Sequence, residues 1–150
     1  MTADAVPNRR NATLFHSREL FGEINKLPLR LLANLGDAVC GLYEKERAIA
    51  TCSSAGQMHS RVKARINAKA QAQFLARLQG NLSEAESDLV RRARNLKTAH
   101  YGKVEQSTYR QSTAFETLVG FLYLSEPDRL REIFALLEMT ASDSDSPTKP

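Results

Sequence analysis

From about residue 28 to residue 139 the apolar positions recur at intervals of three and four, and no run of four to eight residues alternates in the strand manner. The pattern predicts an all-α domain. Pro28 suits the first turn of a helix whose stripe is Leu31, Leu35, Val39, Leu42 and Tyr43, continuing to about Arg47. Ala50 to Gly56 reads as a loop, and Gln57 to Ile66 as a second helix. Asn67 can cap a third helix from Ala68 to Leu78, with stripe Ala72, Leu75 and Leu78, which Gly80 and Asn81 end. Ser83 with Glu86 three residues on is a capping box that opens a fourth helix to about Asn95. After a loop from Leu96 to Ser107, a strongly apolar helix is expected from Thr108 to Leu124, then a last one opened by Ser125 and Pro127 and ending near Met139. Residues 1–15 are expected to be a flexible N-terminal segment, 16–140 the folded domain, and 141–150, with its Ser, Asp and Pro, a disordered tail.

Two acids break the apolar pattern. Asp37 lies in Leu35-Gly36-Asp37-Ala38-Val39, mid-helix, with only small or uncharged neighbours at Ala33, Asn34, Cys40 and Gly41 one turn away. Glu116 lies in an equally apolar stretch, with Ser112, Thr113 and Gly120 clearing space on its face. A buried, unpaired carboxylate costs several kcal/mol, so each acid needs a partner, a proton or a cation. Two readings stand side by side. Both acids contribute oxygen to one hard divalent ion such as magnesium, which keeps several waters of its own, or each accepts hydrogen bonds from a core arginine or a helix end.

Composition and charge narrow the partner. The 150 residues are 42% hydrophobic and 25% charged, enough for one core. The net charge of +4 is unevenly spread: eleven cations and four acids between Met58 and Arg110 give that segment +7, and the residues after it carry −4. One region therefore suits a polyanion, or is a solvated basic face. Absence of Trp and 7% aromatic residues argue against a single-strand binder that stacks bases. No apolar run approaches the roughly 20 residues of a membrane span, and no signal-peptide block precedes Arg10, so a cytoplasmic location is expected. Cys40 and Cys52 have no metal-ligand spacing, His59 has no second histidine in ligand range, and His16 and His100 carry no signal. There is no glycine-rich phosphate loop and no nucleophile elbow.

Four separated stretches together resemble a known family. Leu31-Leu32-Ala33-Asn34-Leu35-Gly36-Asp37-Ala38-Val39 resembles the signature helix of ribonuclease III nuclease domains. Asn67-Ala68-Lys69-Ala70-Gln71-Ala72, Arg94-Asn95-Leu96-Lys97 and Tyr109-Arg110-Gln111-Ser112-Thr113-Ala114-Phe115-Glu116 resemble the shorter class, Mini-ribonuclease III. The similarity runs from about Leu29 to Met139. It implies an all-α homodimeric nuclease domain without a double-stranded-RNA-binding domain, magnesium-dependent cleavage of double-stranded RNA (manganese being the alternative ion), and a role in maturing the large-subunit (23S) ribosomal RNA precursor. On that footing Asp37 and Glu116 are the expected catalytic and metal-binding residues. Lys69, Arg91, Arg92, Arg94, Asn95, Lys97 and Lys103 are the expected RNA contacts, and a ribosomal protein is a candidate accessory partner. Full-length ribonuclease III has further acids where this chain has Ala33 and Thr113, and Asn34, Cys40 and Gly41 depart from the short class. The competing readings are a non-catalytic RNA-binding or ribosome-associated module that kept the nuclease fold, and a helical protein-interaction domain.

Overall fold

The computed structural model describes residues 13–97 and 105–143, with side chains to Met139. Among the described residues there are six α-helices and no strand: α1 Leu29–Ile49, α2 Ala55–Ile66, α3 Ala68–Leu78, α4 Glu84–Arg94, α5 Gln106–Ser125 and α6 Pro127–Asp143. Two 3₁₀ turns that the periodicity does not reveal, Arg18–Phe21 and Ile24–Lys26, precede them. α2 starts two residues earlier than expected because the Ser54 hydroxyl accepts from Gln57 N at 3.2 Å, a cap hidden inside the expected loop. α6 continues to Asp143, past Ala141 where a tail was expected to begin.

Asn67 joins α2 to α3 with one side chain. Its Oδ1 accepts from Ala70 N at 2.9 Å, capping α3, while its Nδ2 donates to the Lys63 and Ala64 carbonyls that end α2. The Ser83–Glu86 capping box forms as the sequence predicts. Arg129 of α6 then binds Glu86 through two nitrogens, at 2.8 and 3.0 Å, and this guanidinium holds the Glu86 carboxyl below the usual carboxylate range.

α5 is the spine of the domain. Ala114, Phe115, Leu118, Val119 and Leu122 are all fully buried, packed against Val39 and Cys40 of α1, Phe74, Leu75 and Leu78 of α3, Leu89, Val90 and Ala93 of α4, and Ile133 and Leu137 of α6. The α1 stripe differs from expectation at its ends. Val39 is buried, but Leu31 and Leu42 face outward, and Leu32, Gly36 and Cys40 take their place in the core.

The α1–α5 crossing is made by two glycines. A β-carbon on Gly36 would lie 1.7 Å from the Glu116 carbonyl oxygen, and one on Gly120 would lie 2.0 Å from the Leu32 carbonyl oxygen. Both contacts are backbone to backbone, so no side-chain rotation relieves them. Only glycine at both places lets the helices come this close.

Candidate active site

The glycine crossing sets Asp37, the residue after Gly36, beside Glu116, whose own carbonyl Gly36 touches. Both side chains line one open cleft of about 400 Å³. α1 supplies Arg30, Ala33, Asn34 and Asp37, and α5 supplies Tyr109, Ser112, Thr113 and Glu116. The α2–α3 junction closes one wall with Ile66, Ala68 and Gln71, and Leu96 closes another.

The acids are unequal in exposure, which corrects the expectation that both are buried. Asp37 is exposed to the cleft and Glu116 is half-buried. Burial, and then the nearby Asp37 charge, push the Glu116 carboxyl up to about 7, while the Gln71 side chain pulls it back. No ion pair among the described residues involves either acid, so the alternative of a core arginine partner is not what this structure adopts. That alternative is realised elsewhere: the buried acids Glu44 and Glu86 are each bonded to arginine, Glu44 to Arg65 and Arg47, and Glu86 to Arg129.

Ala33 and Thr113, which stand where full-length ribonuclease III has further acids, both line the cleft. Among the described residues there is accordingly no cluster of three or more metal-ligating groups. The donor set is two carboxylates with neighbouring amide and hydroxyl groups from Asn34, Gln71, Ser112 and Thr113. Such a set fits a hard cation that retains much of its water, and the cleft has room for it. Cys40 lies behind the acids in the core, where burial and the charges of Glu116 and Asp37 push its thiol far above the ordinary range. It is inert.

Among the described residues, none of the expected RNA contacts lines the cleft itself. Lys69 is exposed in the first turn of α3, beside Ala68 on the cleft wall. Arg91 and Arg92 are exposed on α4 and share Asp88, at 2.6 and 3.0 Å, which offsets part of their charge. Arg94 flanks a smaller groove of about 170 Å³ between α3 and α4. Asn95 ends α4, and the Lys97 carbonyl accepts from the Arg30 guanidinium, which ties the chain after α4 to the cleft. Lys103 lies outside the described residues.

The sequence reading missed Arg30, Gln71 and Tyr109. Gln71 had a usable signal: it falls on the buried face of α3 with Phe74, Leu75 and Leu78, a polar interruption of the kind that singled out Asp37. Arg30 had none, because its partner is 67 residues away.

This helical scaffold has known counterparts. A ribonuclease III domain matches residues 30–127, so the chain belongs to the ribonuclease III family and is an endoribonuclease of that type. It is similar to the Mini-ribonuclease 3 of Synechocystis sp., 39% identical over 108 residues, covering 72% of this chain and 76% of the relative. With that of Thermoanaerobacter sp. it shares 41% identity over 118 residues, 77% of this chain and 82% of the relative. These likenesses place it with the short Mini-ribonuclease 3 group. The crystal structure of a protein from Fusobacterium nucleatum matches with a TM-score of 0.69 and 25% identity, covering 81% of this chain and 98% of that one.

Proposed function

We propose that the protein cuts double-stranded RNA with Asp37 and Glu116 as the residues that hold a divalent cation, magnesium or manganese in its place. The observation that carries this reading is the pair of unneutralised carboxylates that the Gly36–Gly120 crossing brings to one water-accessible cleft. Burial, and then the neighbouring Asp37 charge, hold a proton on Glu116 near neutral pH, and a cation held by the two carboxylates would offset both costs. When bound, such an ion lowers the pKa of a water and offsets the charge that develops on the scissile phosphate. The chain's own residues do the rest. Asp37, exposed, is the ligand reached first from solvent, and Glu116, set deeper, fixes the depth at which the phosphate must sit. Arg30, on the same wall, is a cation within the cleft that attracts the approaching backbone.

Lys69, Arg91, Arg92, Arg94, Asn95, Lys97 and Lys103 are assigned to the RNA backbone, so recognition follows the shape of the A-form helix more than its sequence. A second copy of the chain is the natural cover for the outer face of α1, where Leu31, Ala38, Leu42 and Ile49 share one side at spacings of seven, four and seven. Leu31 is 61% and Ile49 72% exposed, more than a lone soluble helix face ordinarily leaves bare. A two-fold dimer presents two clefts to a duplex, one for each strand. The substrate we assign is the 23S ribosomal RNA precursor, with a ribosomal protein as a candidate aid in presenting it.

The test is incubation of the purified chain with a perfect RNA duplex, with and without magnesium, followed by mapping of product ends. Magnesium-dependent cuts on both strands with 5′-phosphate ends are expected. Tight binding with no cleavage in magnesium, nor in manganese put in its place, would favour the non-catalytic RNA-binding module.

A further inference from the structure

The cleft contains one polar group that the two acids leave unused. Gln71 is 1% exposed and its Oε1 accepts from Ser112 Oγ at 2.5 Å, yet its Nε2 has no hydrogen-bond partner. A buried amide N–H left bare costs about 1–3 kcal/mol, so its retention calls for a reason. Its position supplies one. Ser112 and Glu116 are one turn apart on the same side of α5, and both line the cleft with Gln71. A single amide from α3 thus lines the same cleft as both, with its oxygen committed to the serine and its nitrogen without a partner.

The chemistry of the two neighbours fixes which way the amide points. A serine hydroxyl donates or accepts equally well, so Ser112 alone tolerates either end. An ionised carboxylate only accepts, so Glu116 in the charged form that would hold a cation selects the nitrogen. The backbone locks the base of the arrangement, because Gln71 N donates to the Asn67 carbonyl at 3.0 Å and Asn67 caps α3.

We propose that Gln71 is a positioning residue for the ribonuclease reaction: held by Ser112, its Nε2 donates to the Glu116 carboxylate and keeps it turned toward Asp37. The proposal rests on the assignment of Asp37 and Glu116 as the cation-holding pair. Gln71 touches neither RNA nor the reacting atoms, and acts only through the glutamate.

The experiment measures Mn²⁺ binding to the RNA-free protein by electron paramagnetic resonance, the magnesium concentration for half-maximal cleavage, and thermal melting. Gln71→Met keeps the side-chain volume and removes the donor. Gln71→Leu with Ser112→Ala removes both ends of the buried hydrogen bond together and decides the matter if the first variant melts much earlier. Either variant, when folded, is expected to bind Mn²⁺ about tenfold more weakly and to need about tenfold more magnesium, with cleavage largely restored at saturating ion. Ser112→Ala alone, which frees the amide without removing it, is expected to weaken binding about threefold. A folded variant at position 71 with wild-type Mn²⁺ affinity overturns the proposal. Wild-type protein that binds Mn²⁺ but cuts no RNA, with binding still lost in the variants, upholds the role of Gln71 and overturns the nuclease reading. Wild-type protein that binds no Mn²⁺ overturns both.

Discussion

Asp37 and Glu44 stand two turns apart on α1, and the helix treats them in opposite ways. Around Glu44, Arg65 of α2 and Arg47 donate at 2.8 and 3.1 Å, and the same two arginines bind Glu138 of α6 at 2.6 and 2.8 Å. Tyr43 stacks on Phe134 with ring centres 3.9 Å apart, and Arg65 lies 4.9 Å from the Phe74 ring. Two acids and two guanidinium groups thus join three helices with their charges cancelled. Around Asp37 and Glu116 the helices also bring two acids together, but the one cation lining their cleft among the described residues, Arg30, makes no ion pair with either and donates to the Lys97 carbonyl instead. A carboxylate pair that serves the fold is supplied with cations by the fold. One left without them suits the cation-holding role proposed for Asp37 and Glu116.

The comparison can be broken most directly by removing the bare acids. Asp37→Asn or Glu116→Gln is predicted to lower the cleavage rate by about 10³-fold or more, equivalent to the several kcal/mol that a metal ligand supplies, with helical content unchanged by circular dichroism. Glu116→Gln has a second consequence. The folded-state carboxyl titrates near 7 against an ordinary value of 4.5, so the folded chain holds a proton that the unfolded chain releases between those values. Ionised Glu116 therefore opposes folding, and its cost grows as pH rises from about 4.5 and is complete above about 7. In metal-free buffer at pH 8 the glutamine variant should melt at or above the wild-type temperature, and a clearly lower melting point would contradict the assigned cost.

A milder break turns the bare site into a paired one. Asn34→Arg sets a guanidinium on the cleft wall one turn before Asp37, and cleavage should fall about 100-fold while the melting temperature holds or rises. The converse change strips the paired site. Arg65→Ala leaves Glu44 buried with a single partner and should cost about 3–5 kcal/mol, roughly a 10 °C loss in melting temperature. Cleavage per folded molecule should stay within about twofold, and a selective loss of activity would mean that this cluster also serves the cleft. Smallest is the basic rim. Arg94→Ala with Lys97→Ala should reduce the slope of log affinity for duplex RNA against log salt by about 1 to 2 while leaving the magnesium requirement unchanged. An unaltered slope would remove both residues from the RNA contact.

Periodicity alone delivered the all-α class, since three-and-four spacing is a local property of each helix. The α3 limits and the Ser83–Glu86 capping box follow for the same reason: the capping partners are three residues apart. Asp37 and Glu116 were also visible, as charges interrupting apolar stretches. Tertiary packing decided which interruptions matter, because Glu44 interrupts the same helix and is neutralised by Arg65, 21 positions away, together with Arg47. Packing likewise turned Leu31 and Leu42 outward, let Gly36 and Gly120 bring two backbones into contact, and carried Gln71 across to Ser112, 41 residues distant. A chain states its local preferences residue by residue, whereas the partner of a buried charge or of a bare N–H is fixed only once separate helices occupy the same space.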